Sequence, residues 1–458
     1  MFKKIEIWIL YFTILLSIPI TIGFGVLVRQ ELIGSSKLGK ISRAALFLSE
    51  IPKNLSYIIN NSFEGESPDL QMEDRFPLLK NFNGTPNSQD SFLLLSKYDG
   101  DLQEGLVELI NLSNFETLHV WNPDTDKFNK LIEKVDDFKY LNRDSNNSRA
   151  IPEIPKLLKN GSLIFLQGHI FRKIDKCSRL ISQNSHDQFH HSIETDFNGN
   201  IWVPSHMFPQ TLPIEKVGRY IKDEGGYMDD TIVKLSPKGD ILFEKSVSQI
   251  FLDNGLEYLL FAHGEDYEED PIHLNDIQPV NFDGDFWKKG DVFLSLRNQS
   301  MIILFRPSTN QIIWKGTGPF LRQHDVNILD KNRISIFNNR SINVFKDINI
   351  IDGNNEVLVY NFKKDKYISY LKDSLFKNDV RTITGGRSKI LPNGDLLVEE
   401  TNSSKILYFN ADGSLRWTYL NRAENGNVYA VGWSRILYNQ EDVLTVKEFL
   451  KSTVKCND

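Results

Sequence analysis

Three histidines, one arginine and one asparagine hold the chemistry that can be read in this sequence. His191, His273 and His324 each open a strand-like segment, and Arg297 ends another, Asp291-Val-Phe-Leu-Ser-Leu-Arg297. Asn275 follows His273 by two residues and on a strand would share its face. Arg322 and Gln323 directly precede His324. A neutral imidazole can attack or carry a proton, while an imidazolium, a guanidinium and an amide donate hydrogen bonds to anionic oxygens. Brought together, these groups would form a cationic pocket for a tetrahedral oxyanion such as sulfate or phosphate. The protein around that pocket is acidic, with 53 Lys and Arg against 60 Asp and Glu for a net charge of −7. A nucleic-acid binder needs a basic face, so that class is disfavoured.

Three histidines can also bind Zn²⁺, but Arg297 beside them would repel a cation, and neither a metal nor a cofactor is expected there. The other histidines read differently. His190 would point the opposite way from His191 and support it, His186, His206 and His263 fall in loops and read as surface residues, and His119 reads as packing in an outer strand. The acidic run at residues 265–270 lacks a recognised calcium-loop spacing and reads as a solvated loop. Two cysteines, Cys177 and Cys456, exclude a disulfide scaffold and a Cys-rich zinc module, and the sequence gives no sign that they are close together.

The elements that must position these groups repeat along the chain. Lys159-Asn-Gly-Ser-Leu-Ile-Phe165, Phe197-Asn-Gly-Asn-Ile-Trp-Val203 and Leu391-Pro-Asn-Gly-Asp-Leu-Leu-Val398 are tight hairpins by their turn residues. Each is followed by a second hairpin type, for which Thr231-Ile-Val-Lys-Leu-Ser-Pro-Lys-Gly-Asp-Ile-Leu-Phe243 is the pattern. An inner and an outer hairpin make a four-stranded blade, and a repeat of such blades predicts an all-β, six-bladed β-propeller. Five blades are expected near residues 151–183, 190–247, 273–316, 324–371 and 385–420. The sixth would combine strands at 91–97, 105–112 and 116–121 with an inner strand from 428–438, so that the two chain ends close the ring and remove exposed edges. Residues 207–228 and 255–270 read as insertions, which tend to gather on one face and carry function. His191 and His324 lie equal distances before Ile201 and Ile334, the residues that open the second strand of their hairpins. His273 is expected to begin its inner strand in the same way, with Glu153 and Gly386 in that place in two other blades. Inner strands line the axis, so the three imidazoles should meet at one mouth of the channel.

Ahead of the propeller, residues 5–28 form an apolar run with one charge, Glu6, preceded by Lys3 and Lys4 in the short end 1–4. It is long enough for a transmembrane signal anchor, with the propeller outside the cytoplasm, on the periplasmic side of an inner membrane in a bacterium. Basic residues on both flanks leave the positive-inside rule close to a tie. Residues 29–90 read as a helix, amphipathic over 37–59 and interrupted at Pro52, followed by a linker or wrap. The propeller domain is placed at 91–442 and a C-terminal tail at 443–458.

His273-Leu-Asn275, the Ser-Leu-Arg297 strand, Ile312-Ile-Trp314, Gln323-His324-Asp-Val and Ile334-Ser-Ile-Phe-Asn-Asn339 recur in an order that resembles the arylsulfotransferase family, the type that uses aryl sulfates rather than a nucleotide donor. The similarity spans roughly residues 90–440, without a counterpart of the large N-terminal β-sandwich some members carry. The resemblance implies a six-bladed propeller that passes a sulfuryl group from an aryl sulfate to a phenolic or other hydroxyl acceptor through a sulfohistidine. It further implies that His324 is the histidine sulfated, that His273, Asn275 and Arg297 hold the sulfuryl oxygens, and that His191 carries the proton. The alternative is a membrane-tethered propeller that binds an anionic ligand or a protein partner without catalysis.

Overall fold

The structure is a computed structural model that describes residues 6–32, 38–49, 51–52, 70–133, 138, 141–186, 188–208, 210–211, 227–261, 270–345, 348–452 and 456. The chain divides into two units, residues 1–68 and 69–458.

In the first unit a 26-residue helix, Ile7–Leu32, contains Pro19 and exposes almost its whole apolar surface. At about 1.5 Å per residue it is long and apolar enough to cross a hydrocarbon core of roughly 30 Å. Residues 40–49 and 51–52 are also helical, and the rest of the amphipathic segment expected at 37–59 lies largely outside the described residues.

The second unit is the expected six-bladed propeller. Its second to fifth blades are four-stranded antiparallel sheets that run outward in chain order. They comprise Glu153–Leu157 to Leu180–Asn184, Glu194–Thr195 to Ile241–Ser246, Leu274–Pro279 to Gln311–Thr317, and His324–Ile328 to Lys366–Tyr370. The fifth blade also carries an inserted hairpin, Ser341–Phe345 with Ile348–Ile351, that the sequence reading did not separate. Turn residues set the hairpins. In the sixth blade, Gly394 takes a φ of +88° so that its N–H reaches Leu391 O while Leu391 N–H donates to Asp395 O.

Burial explains the strand patterns. Val292–Leu296 is buried along its length, whereas the outermost strand Gln311–Thr317 alternates between partly buried and exposed residues. Neighbouring blades pack face to face: Val280, Phe293, Ile302 and Leu304 of the fourth blade share a core with Ile334, Ile336 and Leu358 of the fifth. Each such side chain contributes about 1.5–3 kcal/mol on burial, so the radial interfaces hold the inner strands in place.

Closure joins the two ends of this unit. Arg435–Leu437 pairs with Phe92–Leu94 as the innermost strand of the first blade. The strand expected across 428–438 is shorter, because Val428–Tyr429 pairs instead with Gln71–Met72, and Trp433, at a φ of +58°, turns the chain between the two. A second clasp comes from the wrap segment: Asn81–Gly84 adds a fifth, outermost strand to the sixth blade by pairing with Trp417–Leu420. A Cβ on Gly84 would lie 2.3 Å from Arg416 O, so only glycine fits.

Residues 443–451 belong to a helix, Gln440–Lys451, capped by the Asn439 side chain. Its Val446 and Phe449 enter the core shared by Trp121 and Phe165 of the first two blades. His119 packs edge-on against Trp121 and Phe449, as its place in an outer strand implied. Cys456 forms a disulfide with Cys177, 279 residues earlier, and so ties the C-terminus to the second blade. A Cys177→Ser/Cys456→Ser chain should unfold at lower denaturant, with a loss of about 2–4 kcal/mol, and reductant should lower the midpoint of the wild type but not of the variant. Equal midpoints for the two chains would contradict a structural role for the bridge.

Candidate active site

The three imidazoles meet at one end of the inner strands. The His191 ring centroid lies 5.1 Å from that of His273 and 6.4 Å from that of His324. Trp433 closes the group, 6.1 Å from His191 and 6.0 Å from His324. Their register is not identical. The fourth and fifth inner strands each carry an irregularity, skipping Asn275 and Asp325. Counted from it, Leu274 rather than His273 matches His324. His273 precedes the strand at a left-handed φ of +52°, as His191 does at +58°, and this turn aims both side chains at the axis.

His324 is almost completely buried. Its Nδ1 lies 2.6 Å from Asn339 Oδ1. The Asn339 amide donates through Nδ2 to the carbonyls of Thr382 (3.1 Å) and Gly385 (2.8 Å), which fixes its oxygen toward the ring. An amide oxygen only accepts, so His324 carries its proton on Nδ1 and keeps a lone pair on Nε2. Nε2 receives one long contact, 3.3 Å from Gly385 N–H. Burial, reinforced by the positive charge of Arg297, lowers the His324 pKa to about 3, so the ring is neutral at ordinary pH.

His273 directs Nδ1 to the Asp270 carboxylate at 2.5 Å, which leaves Nε2 for the cluster. Burial opposes ionisation of Asp270, but the His273 hydrogen bond and charge outweigh it and hold the carboxyl below its usual range. Burial, then the charges of His273, His324 and Arg297, hold His191 well below the usual imidazole range. Its Nδ1 lies 2.7 Å from Nδ1 of His190. Arg297 is largely buried, with its pKa lowered to about 10 mainly by desolvation. It contacts Asn298 Oδ1, but its Nε is buried without a partner, leaving a donor for an anion. Asn275 is fully buried and donates to Gln323 O at 2.8 Å, with its Oδ1 unpartnered.

Arg322 and Gln323 are placed differently from those five. Arg322 reaches Asn349 on the inserted hairpin. The Gln323 amide donates to Met301 O and Leu296 O, so it fastens the fourth blade to the fifth and has no donor left for a substrate. His206 is not a surface residue: it ends the strand Ile201–His206 and packs on His190 with ring centroids 4.3 Å apart. His186 is exposed, and His263 lies outside the described residues. Asn339, Asp270 and Trp433 are the groups that sequence reasoning missed. Asn339 ended a segment already singled out, but nothing in its spacing marks it as a partner of His324.

A cavity of about 740 Å³ opens beside His191. Phe138, Ile151, Ile154, Val431 and Trp433 give it an apolar wall, and Gly385 and Thr401 a polar one. Its apolar wall suits an aromatic ring, and of the three imidazoles His191 alone lines it.

The neutral state of His324 has a measurable cost. Its folded pKa, about 3, lies below the roughly 6.5 of an unfolded histidine, so the unfolded chain binds the extra proton first. This part of the stability is intact above about pH 6.5 and is lost progressively as pH falls toward 3. Asp276 and Glu400, raised to about 7 by burial, work in the opposite direction but cancel when variants are compared. His324→Gln should therefore lose less stability than wild type between pH 6.5 and 4 in urea unfolding, and parallel curves would contradict a neutral buried ring.

The arylsulfotransferase (ASST) family profile matches residues 155–422, more than half of the chain. No curated protein matches. Among solved structures the chain is similar to a Bacteroides caccae protein of unknown function, at 11% identity and a TM-score of 0.43, covering 76% of this chain and 99% of that one. It is also similar to the Neurospora crassa Pan2 WD40 domain, at 10% identity and a TM-score of 0.41, covering 79% and 97%. A streptogramin B lyase follows at 12% identity and a TM-score of 0.33, covering 63% and 93%. Likeness of this size carries no argument. With its blades, its motifs and the match over 155–422 taken together, this chain belongs to the arylsulfotransferase family.

Proposed function

We propose that the protein transfers a sulfuryl group from an aryl sulfate ester to a phenolic or other hydroxyl acceptor, through a sulfated His324. The observation that supports this best is the hydrogen bond from His324 Nδ1 to Asn339, which leaves Nε2 as a buried lone pair beside Arg297, His273 and His191.

In the first half-reaction Nε2 attacks sulfur in line with the leaving phenolate. The N–S bond forms, the S–O(aryl) bond breaks, and the ring becomes an N-sulfo imidazolium whose Nδ1–H is held by Asn339. Charge builds on the peripheral oxygens of a loose transition state, as in phosphoryl transfer. Arg297 and His273 Nε2–H face those oxygens, and Asn275 fastens the segment before His324 through Gln323 O. His191 protonates the phenolate. In the empty site burial and neighbouring cations keep His191 neutral, but an anionic ester reverses the sign of the local field, so His191 takes up its proton as substrate binds. In the second half-reaction His191 accepts the proton of the incoming hydroxyl, the acceptor oxygen attacks sulfur, and the N–S electron pair returns to His324. No cofactor or metal takes part in these steps.

The helix Ile7–Leu32 would anchor the enzyme in a membrane, with the propeller outside the cytoplasm. The disulfide supports that side, since such bonds persist in oxidising compartments.

A chromogenic phenyl sulfate, with and without added phenol, tests the reading. Wild type should release the chromophore only when phenol is present, and His324→Ala should release none. Arg297→Met should lower kcat by about 10²–10³, the usual effect of losing one preorganised oxyanion donor. Release without phenol would mean hydrolysis, full turnover by His324→Ala would refute the nucleophile, and no turnover by wild type would favour a binding module.

A further inference from the structure

Behind His191 lies a second cluster that the transfer reaction does not use. His190 Nε2 and His206 Nε2 approach the same oxygen, Asp230 Oδ1, at 3.6 and 3.7 Å. One donor atom from each of the three residues falls within 4.8 Å of the others. Asp230 is fully buried, His190 nearly so and His206 partly. Neither oxygen of Asp230 makes a well-formed hydrogen bond, and neither does His190 Nε2; the backbone N–H groups of Leu274 and His273 lie near the Asp230 carboxyl, yet burial still pushes its pKa up. Buried polar groups left under-bonded in this way call for a partner.

We propose that His190 Nε2, His206 Nε2 and Asp230 form a binding site for one divalent metal ion of the zinc type. Two nitrogens and one carboxylate oxygen are an ordinary zinc donor set. Donor atoms around a tetrahedral zinc stand about 3.3 Å apart, so the two nitrogen–oxygen separations need to close by only a few tenths of an ångström, while the two nitrogens start within 4.8 Å of each other. The ion satisfies both under-bonded groups, His190 Nε2 and Asp230, with His206 Nε2 as the third donor, and leaves a fourth position for water. Local charge permits it. Besides the site's own residues, His206 faces Asp270, His169 and His273, while Asp229 and Asp270 act on Asp230, and Arg297 acts on His191 and His324 in the neighbouring site. The objection that Arg297 raises against zinc at His191, His273 and His324 does not reach this trio.

Zinc chloride titrated into the metal-stripped full-length protein in detergent, followed by calorimetry and thermal unfolding, tests the site. Wild type should bind one Zn²⁺ per chain and unfold at higher temperature with it. His206→Ala should bind more weakly by at least the ~10–100-fold typical of losing an outer partner, and the isosteric Asp230→Asn should do the same without a change of shape. His324→Ala and His273→Ala should bind as wild type does. No stoichiometric uptake by wild type, or undiminished uptake by both His206→Ala and Asp230→Asn, would overturn the site, as would binding that depends on His273 instead. Zinc bound here in a chain without aryl-sulfate turnover would leave the site standing and remove the transfer reading.

Discussion

Closure of the ring is the constraint on which the rest depends. Arg435–Leu437 must pair with Phe92–Leu94, because an open ring would leave the axis undefined and the imidazoles at no fixed distance. The clasp is short, so it is reinforced from both sides. Asn81–Gly84 adds an outer strand to the sixth blade, and the Glu399 carboxylate accepts the N–H groups of Trp433 and Ser434 from the closing segment. Arg435 spans from Pro155 O to Ile193 O and Glu194, and so joins the closing strand to the next two blades. Similar polar contacts run around the axis, as where Val326 N–H meets Asp276 and Ser388 N–H meets Asp325. The inner strands are held by charge-assisted hydrogen bonds as well as by the apolar packing farther out.

That rigidity gives the site its electrostatics. Water is largely excluded around His324, so desolvation keeps the ring neutral, and the Asn339 hydrogen bond then decides which nitrogen keeps the proton. The same device recurs at His273, where Asp270 takes Nδ1, and at His191, where His190 does. Three rings have their Nδ1 occupied by a neighbour, and each therefore has its Nε2 left for the channel. A site preorganised in this way needs little reorganisation as charge develops on a transferring group.

The propeller was legible because strand alternation and Asn-Gly turns are local signals that repeat. The convergence of His191, His273 and His324 was legible because equivalent places in copied sheets meet at the axis. The exact register was not, since the irregularities at Asn275 and Asp325 shift it by one residue and leave no mark in composition. Partners that act across strands of one blade were also hidden. Asn339 approaches His324 from just past the end of the next strand, and His206 meets His190 only because a strand beginning at Ile201 ends beside it. Gln323 was adjacent in sequence to His324 but faces into the fourth blade, since neighbouring strand residues point to opposite sides. The disulfide joins residues too far apart in the chain for spacing to reveal.

The central claim is that one imidazole nitrogen accepts the sulfuryl group. Incubating the full-length protein with a ³⁵S-labelled phenyl sulfate in the absence of acceptor, quenching in alkali and mapping the peptides tests it directly. The account predicts label on the peptide that contains His324, discharged when phenol is added before the quench. Label on His191 or His273, or rapid transfer to phenol with no labelled histidine at any time, would contradict it.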